Sequence, residues 1–266
     1  MGWLDRLRRP AAPAPEAEME QALAAARAGD YAAALDIWER LGRAGHARAQ
    51  NNIGACFAEG MGGLARDPAL AERWLSLSAA GGDSVGRRNL AALYFKGEGV
   101  TQDYARAADL YRAAAEQGDA PAQDMLSWML LEGEVVPLDI TGARLWAEAA
   151  ADQGVASSMT RLGMLHHNAL GVARDAAEAA RWWRKGAERG DADGQAMLGA
   201  AHHLGAGVPR DPQVAYEWLL RGHEGGSGLA APFLEAVKAA LSPAALADAE
   251  ERARRPLAPP VPEAAP

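Results

Sequence analysis

Two histidine pairs are the first residues whose type and spacing could do chemistry. His166-His167 and His202-His203 stand 36 residues apart, and neutral imidazole is a common ligand for zinc, nickel and copper. A pair without accompanying carboxylates or cysteines lacks the rest of its ligand set and the outer groups that orient it. His166 and His202 therefore read as substitutes for a half-buried aromatic residue, and no metal or other cofactor is expected. Cys56 is the single cysteine, so the chain can form neither an internal disulfide nor a cysteine-based zinc site. It reads as a small buried thiol rather than a nucleophile, since no cation is expected beside it. No G-x-G-x-x-G follows a strand, and G-x-x-x-x-G-K-S/T, H-E-x-x-H and S-x-x-K are absent from the sequence. The acidic residues fall at helix caps and on solvent faces, with no evident acid–base couple. An enzyme is not expected.

The elements that must position these residues announce themselves by a period. Asp67, Asp103, Asp139, Asp175 and Asp211 are each 36 residues apart, as are Ala71, Ala107, Ala143, Ala179 and Ala215. So are Trp74, Leu110, Trp146, Trp182 and Trp218, and Gly82, Gly118, Gly154, Gly190 and Gly226. Ile53, Leu90, Leu126, Leu162 and Leu198 follow the same period after one extra residue in the loop around Gly60-Met61-Gly62-Gly63. Such self-similarity marks a repeat architecture. Within residues 84–119 the pattern predicts helix A over about Ser84–Lys96, ended by Gly97 and Gly99. Helix B then starts behind the cap Asp103 and is closed by Gly118. The aspartates read as caps, and the alanine, leucine and tryptophan columns as core. Two small-residue columns on helix A, Ala49/Gly86/Ala122/Ser158/Gly194 and Gly54/Ala91/Ser127/Gly163/Gly199, predict close helix packing against larger facing residues.

The stretches AQNNIG, NLAALYFKGEGVTQD, RLGMLHHNALGVARD and MLGAAHHLGAGVPRD, with RAADLYRAAAEQGD and AARWWRKGAERGD on helix B, resemble the Sel-1-like repeat family, relatives of the tetratricopeptide repeats. The resemblance covers residues 47–227. The copy at 120–155 departs from it, with Glu134-Val135-Val136-Pro137 replacing G-x-G-V. It implies an all-α, right-handed α/α superhelical solenoid of 36-residue helix–loop–helix repeats. The repeats would be 47–83, 84–119, 120–155, 156–191 and 192–227, preceded by a shorter helical pair at 16–46. Capping helices are expected at 228–255 and disordered tails at 1–15 and 256–266. The resemblance also implies an adaptor that holds partner proteins in complexes. A disulfide-rich secreted branch is associated with weak β-lactam hydrolysis, so a weak hydrolase of cell-wall-like amides is the alternative. One cysteine and no export signal set this chain apart from that branch.

Composition agrees with a binding scaffold. The net charge is −8 over 266 residues, the wrong sign for neutralising nucleic-acid phosphates or anionic lipid. The N-terminal MGWLDRLRRP lacks the apolar stretch of a secretory signal, and Arg6 stands where a myristoylation motif wants Ser or Thr. No segment approaches membrane-spanning length, and a cytoplasmic location is expected.

Helix A lines the inner, concave side of such solenoids. Its second, fifth, ninth, twelfth and thirteenth positions should point away from the core. They vary in kind from copy to copy, while the core columns hardly change. From these positions the expected partner-binding residues are Arg48, Asn51, Arg88, Phe95, Lys96, Asp124, Trp128, Leu131, Thr160, Met164, His167 and His203. Trp128 stands out, because its column otherwise holds Ala55, Ala92, Met164 and Ala200. The expected partner is another protein or peptide, bound on the concave face; the sequence leaves the oligomeric state open.

Overall fold

The computed structural model describes residues 14–257. Among them are fourteen α-helices and no strand. The N-terminal MGWLDRLRRP, and most of both tails expected at 1–15 and 256–266, lie outside the described residues. Pro15 already opens the first helix. None of the described helices is long and apolar enough to cross a membrane.

The chain divides into two compact units, residues 1–119 and 120–266. In the first, three antiparallel pairs stack in chain order: α1 (Pro15–Arg27) with α2 (Tyr31–Arg43), α3 (Ala47–Glu59) with α4 (Pro68–Ala80), and α5 (Ser84–Lys96) with α6 (Tyr104–Ala115). In the second, the pairs are α7 (Ala120–Glu132) with α8 (Ile140–Asp152), α9 (Ala156–Asn168) with α10 (Ala176–Glu188), and α11 (Ala192–Leu204) with α12 (Pro212–Glu224). Two further helices, α13 (Ala231–Ala239) and α14 (Pro243–Arg254), pack along α12. The odd-numbered helices α3 to α11 are the A helices of the repeats, and the even-numbered α4 to α12 the B helices.

Each B helix begins where the aspartate column says it should. The carboxylates of Asp67, Asp103, Asp139, Asp175 and Asp211 accept backbone N–H bonds from the first turn, at Leu70, Arg106, Gly142, Ala177 with Glu178, and Gln213 with Val214. That satisfies donors the helix leaves open and places negative charge at the positive end of its dipole. Pro68 and Pro212 sit in first turns, where a missing N–H costs nothing.

The core is built from facing columns of unequal size. The alanine column on helix B is fully buried, and so are Ile53, Leu90, Leu126, Leu162 and Leu198 on helix A. A Cβ added at Gly163 would stand 2.4 Å from the Trp183 ring, and one at Gly199 would stand 2.7 Å from the Leu219 side chain. Where helix B offers only Ala147, helix A carries Ser127, whose hydroxyl donates to the Ala143 carbonyl at 2.7 Å. Large faces small at Gly54 with Leu75, Gly163 with Trp183 and Gly199 with Leu219, as dense packing requires.

One expectation is corrected. The column Trp74, Leu110, Trp146, Trp182 and Trp218 is half-buried, not core. The next residue along, at Leu75, Tyr111, Ala147, Trp183 and Leu219, faces helix A and is buried. A 36-residue period cannot tell neighbouring columns apart, and both repeat. Within each unit the tryptophans pack on clusters shared with the preceding pair: Trp74 on that of α1 to α3, Trp182 on that of α8 and α9, Trp218 on that of α10 and α11. They join successive repeats rather than fill one.

A candidate protein-binding face on helix A

The face follows from the geometry of helix A against its neighbours. Helix B and the next helix A cover two sides of it, and the ninth, twelfth and thirteenth positions emerge on the third. The thirteenth column, Glu59, Lys96, Glu132, Asn168 and Leu204, is exposed throughout. In the ninth, Ala55, Ala92, Trp128 and Met164 are half-buried and Ala200 is buried. The twelfth, Ala58, Phe95, Leu131, His167 and His203, is half-buried, and its rings rest on helix B of the same repeat or, for His203, on α13. Phe95 meets Tyr104 edge-on at 5.2 Å between centroids, His167 tilts over Trp183 at 5.3 Å, and His203 lies 6.0 Å from Phe233. Leu131 packs against the cluster around Leu162 and Leu165.

The fifth position behaves differently, and this corrects the expected solvent-facing set. Asn51 and Thr160 are buried, each only 4% exposed. Thr160 donates to Asp191 at 2.6 Å, and Asn51 accepts from Asn89 at 2.8 Å. Arg88 reaches both oxygens of Asp119 at 3.1 Å. Asp124 accepts from Ser157, Ser158 and Arg161 at 2.9, 2.5 and 2.7 Å. Burial alone would raise the Asp124 carboxyl, but Arg161 and the serine hydroxyls outweigh it and hold the group below the ordinary carboxylate range. For Asn51, Asp124 and Thr160 the partner opens the following helix A or lies in its first turns. The fifth position thus faces the next repeat, and its polar residues tie repeats together. At the second position, Arg48 is exposed and pairs with Asp83 at 3.3 Å.

The histidine pairs sit as substitutes for the aromatic position. His202 is buried, with Nδ1 3.1 Å from the Pro209 carbonyl oxygen, and His166 is half-buried with a buried Nδ1 that has no hydrogen-bond partner among the described residues. Among the described residues, no three His, Cys, Asp or Glu converge as a metal site would require. Tyr94, the aromatic at this position in the 84–119 copy, is buried and donates to Glu72 at 2.5 Å; burial and then Glu72 push its phenol up to about 12. Cys56 is buried, and burial raises its thiol, so little thiolate is available for reaction.

The repeat units have a match in a known family. The model of the Sel1 repeat matches residues 47–83, 84–119, 120–155, 156–191 and 192–227. The chain belongs to the Sel1 repeat family. Its all-α solenoid of about 36-residue units is that family's architecture, and Sel1 repeat proteins are generally protein-interaction scaffolds without enzymatic activity. A Sel1 repeat protein from Oxalobacter formigenes is 27% identical in sequence, with a TM-score of 0.76 over 89% of this chain and 98% of its own. An immunity protein from Pseudomonas aeruginosa is 18% identical, with a TM-score of 0.49 over 83% of this chain and 85% of its own. A protective antigen of uropathogenic Escherichia coli with the same repeat fold is 23% identical, with a TM-score of 0.40 over 90% of this chain and 68% of its own. No curated protein matches the sequence.

Sequence reasoning missed one feature of the face. Between α3 and α5 lies a cavity of about 190 Å³ with Ala55, Ala58 and Ala92 in its walls. The signal was present in the ninth column, where these two copies carry alanine and the next two carry Trp128 and Met164.

Proposed function

We propose that this Sel1 repeat chain is an interaction scaffold that takes a partner protein or peptide on the helix A face, the inner face of a helical solenoid. One observation carries the reading. The ninth, twelfth and thirteenth positions of helix A change in kind from copy to copy, while the columns beneath them stay aliphatic or small. In the first unit these positions hold Phe95 and Lys96, and in the second they hold Trp128, Leu131, Met164, His167 and His203. Aromatic residues and methionine are what interface centres favour. Asn51, Asp124 and Thr160 serve this face from below, by fixing the spacing of successive A helices within each unit. An acidic protein of this kind suits a protein partner better than nucleic acid.

Site-directed photo-crosslinking in cells that make the protein naturally tests the reading. A benzophenone amino acid at Lys96 or Met164 should give adducts of defined mass. The same group at Leu77 or Leu145, exposed residues of helix B, should give none of those adducts. Identical adducts from Leu77 and Leu145, with none from Lys96 and Met164, would place the interface on helix B and overturn the assignment.

A further inference from the structure

The cavity in the first unit has the chemistry of a pocket for one side chain. Its walls are apolar where α3, α4 and α5 meet, with Ala55, Ala58, Leu75, Ala92 and Leu93 facing inward. At about 190 Å³ it exceeds one water's share of liquid volume, about 30 Å³. It falls short of the roughly 300–1,000 Å³ typical of cofactor and small-molecule sites. That size suits one side chain between leucine and phenylalanine.

The lips are polar, and their charges do not all cancel within the protein. Glu59 ends α3 on one lip, and Lys96 ends α5 on the other. Both are exposed, and among the described residues neither sits in a salt bridge, although Lys96 is near enough to Glu98 for its charge to help lower that carboxyl. The other two charges of the pocket are paired with each other. Arg66 donates from Nε to the Ala58 carbonyl at 2.8 Å and pairs through Nη2 with Glu98. The hydrogen bond from Arg66 holds the Glu98 carboxyl below its usual range. Asn89 adds one acceptor. Its Nδ2 is committed to Asn51, and among the described residues no donor reaches its Oδ1.

We infer that this pocket anchors one large apolar side chain of a peptide partner whose flanking residues carry opposite charges, basic toward Glu59 and acidic toward Lys96. The inference rests on the scaffold reading and makes it specific. A main-chain N–H of the bound segment bonds Asn89 Oδ1, which gives the peptide a fixed register. The hollow exists because the ninth position is alanine in both copies that border it, so a side chain placed there by mutation competes directly with the ligand.

The probe is a displayed random-peptide library selected on the full chain, followed by fluorescence anisotropy with the enriched peptides. Ala92→Trp copies the residue of the 120–155 copy and fills the pocket. Ala55→Met does so from the opposite lip, should either variant fold poorly by circular dichroism. The enriched peptides should share a large aliphatic or aromatic residue between a basic and an acidic one. Each filling variant should weaken them at least about tenfold, roughly 1.4 kcal/mol. The double variant Glu59→Lys with Lys96→Glu should prefer peptides with the two flanking charges exchanged. Full-strength binding to both filling variants overturns the pocket, as does enrichment of peptides without the charge pattern or of none at all. Self-association of the chain that disappears in Ala92→Trp would also overturn it, by making a second copy the occupant. The scaffold reading is judged separately. If the Met164 crosslinks persist in Ala92→Trp while peptide binding is unchanged, the pocket falls and the helix A face stands.

Discussion

The helix A face is hollow in the first unit and filled in the second, although both are built on the same repeat. In the first, Ala55, Ala58 and Ala92 leave a cavity whose wall reaches down to the buried Leu75. In the second, the ninth and twelfth positions carry Trp128, Leu131, Met164 and His167, and the ring of His167 rests on Trp183. The columns that build the repeat are alike in both: buried alanines on helix B, buried aliphatics on helix A, a capping aspartate between. A repeat protein can thus alter its surface at fixed positions without touching its frame. The energy that stacks the repeats comes from other columns, so one unit can hold a pocket and the other an apolar strip at equal structural cost.

The first way to break this comparison is to remove the support of the filled face. Trp183 is 2% exposed and lies directly opposite Gly163, which leaves room for the indole and nothing more. Trp183→Ala should cost about 3–5 kcal/mol, as for other large buried aromatics, measured by denaturant unfolding. Trp146→Ala, in the half-buried column, should cost about 1–2 kcal/mol, because only part of its surface leaves water on folding. Equal losses for the two would show that the columns have not been told apart. The sequence made the period, the caps and the helix limits legible, because each depends on a residue type at a fixed place: aspartate before a helix, glycine after it. It did not separate Trp182 from Trp183. Both recur with the period or vary within it, and only the rotation of helix B about its own axis decides which indole turns inward. The same limit applied to the fifth position of helix A. Asn51 and Thr160 look like surface residues by type, and only the approach of the next helix A shows that they bond across to Asn89 and Asp191.

The ties at the fifth position offer a second test, sensitive to pH. Asp124 is the hub of one tie, and its partners hold its carboxyl below the ordinary range. A carboxyl depressed on folding contributes stability that is present above the unfolded pKa of about 3.9. That contribution is lost as the pH falls through the lower folded value. Asp124→Asn should therefore destabilise the chain by about 2 kcal/mol at neutral pH, the range of hydrogen bonds to a charged group. The gap from the parent should shrink as the pH drops below about 4. A gap that stays constant into acid would mean that the carboxylate charge is not what the tie uses.

Exchanging the surface residues themselves should have smaller effects. Trp128→Ala hollows the second unit's face and should cost about 1 kcal/mol, since the ring is half-buried. Ala92→Trp fills the first unit's cavity and should change stability by no more than about 0.5 kcal/mol, as substitutions on accessible positions usually do. A loss of several kcal/mol from Ala92→Trp would show that the cavity walls cannot accommodate a ring, and that its emptiness is structural rather than available to a ligand.

The smallest expected effect lies where helix A ends and the face gives way to the loop. Gly60, Gly97, Gly133 and Gly205 close their A helices with φ between 67° and 72°, whereas Ala169 does the same with φ 56°, the one non-glycine in that region among the described residues. The left-handed conformation brings Cβ close to the following carbonyl oxygen and costs about 1–2 kcal/mol for an L-residue. Ala169→Gly removes that cost but gives the unfolded chain more freedom, which takes back about 0.4–1 kcal/mol. The net gain should be about 0.5–1 kcal/mol, read as a higher denaturant midpoint at unchanged slope. Gly205 supplies the reverse case. A Cβ there would meet nothing nearer than Arg210 Cβ at 3.6 Å, so no collision confuses the result and Gly205→Ala should lose a similar amount. The loop glycine Gly207 is a poor control, because a Cβ there would stand 1.9 Å from the Ala176 carbonyl oxygen. If Ala169→Gly stabilises and Gly205→Ala destabilises by matching amounts, backbone conformation alone sets the value of this position. The alanine at 169 is then a local cost in the filled unit that the first unit, with Gly60 and Gly97, does not bear. If both variants leave the midpoint where it was, the ends of α9 and α11 do not hold the left-handed turn in solution.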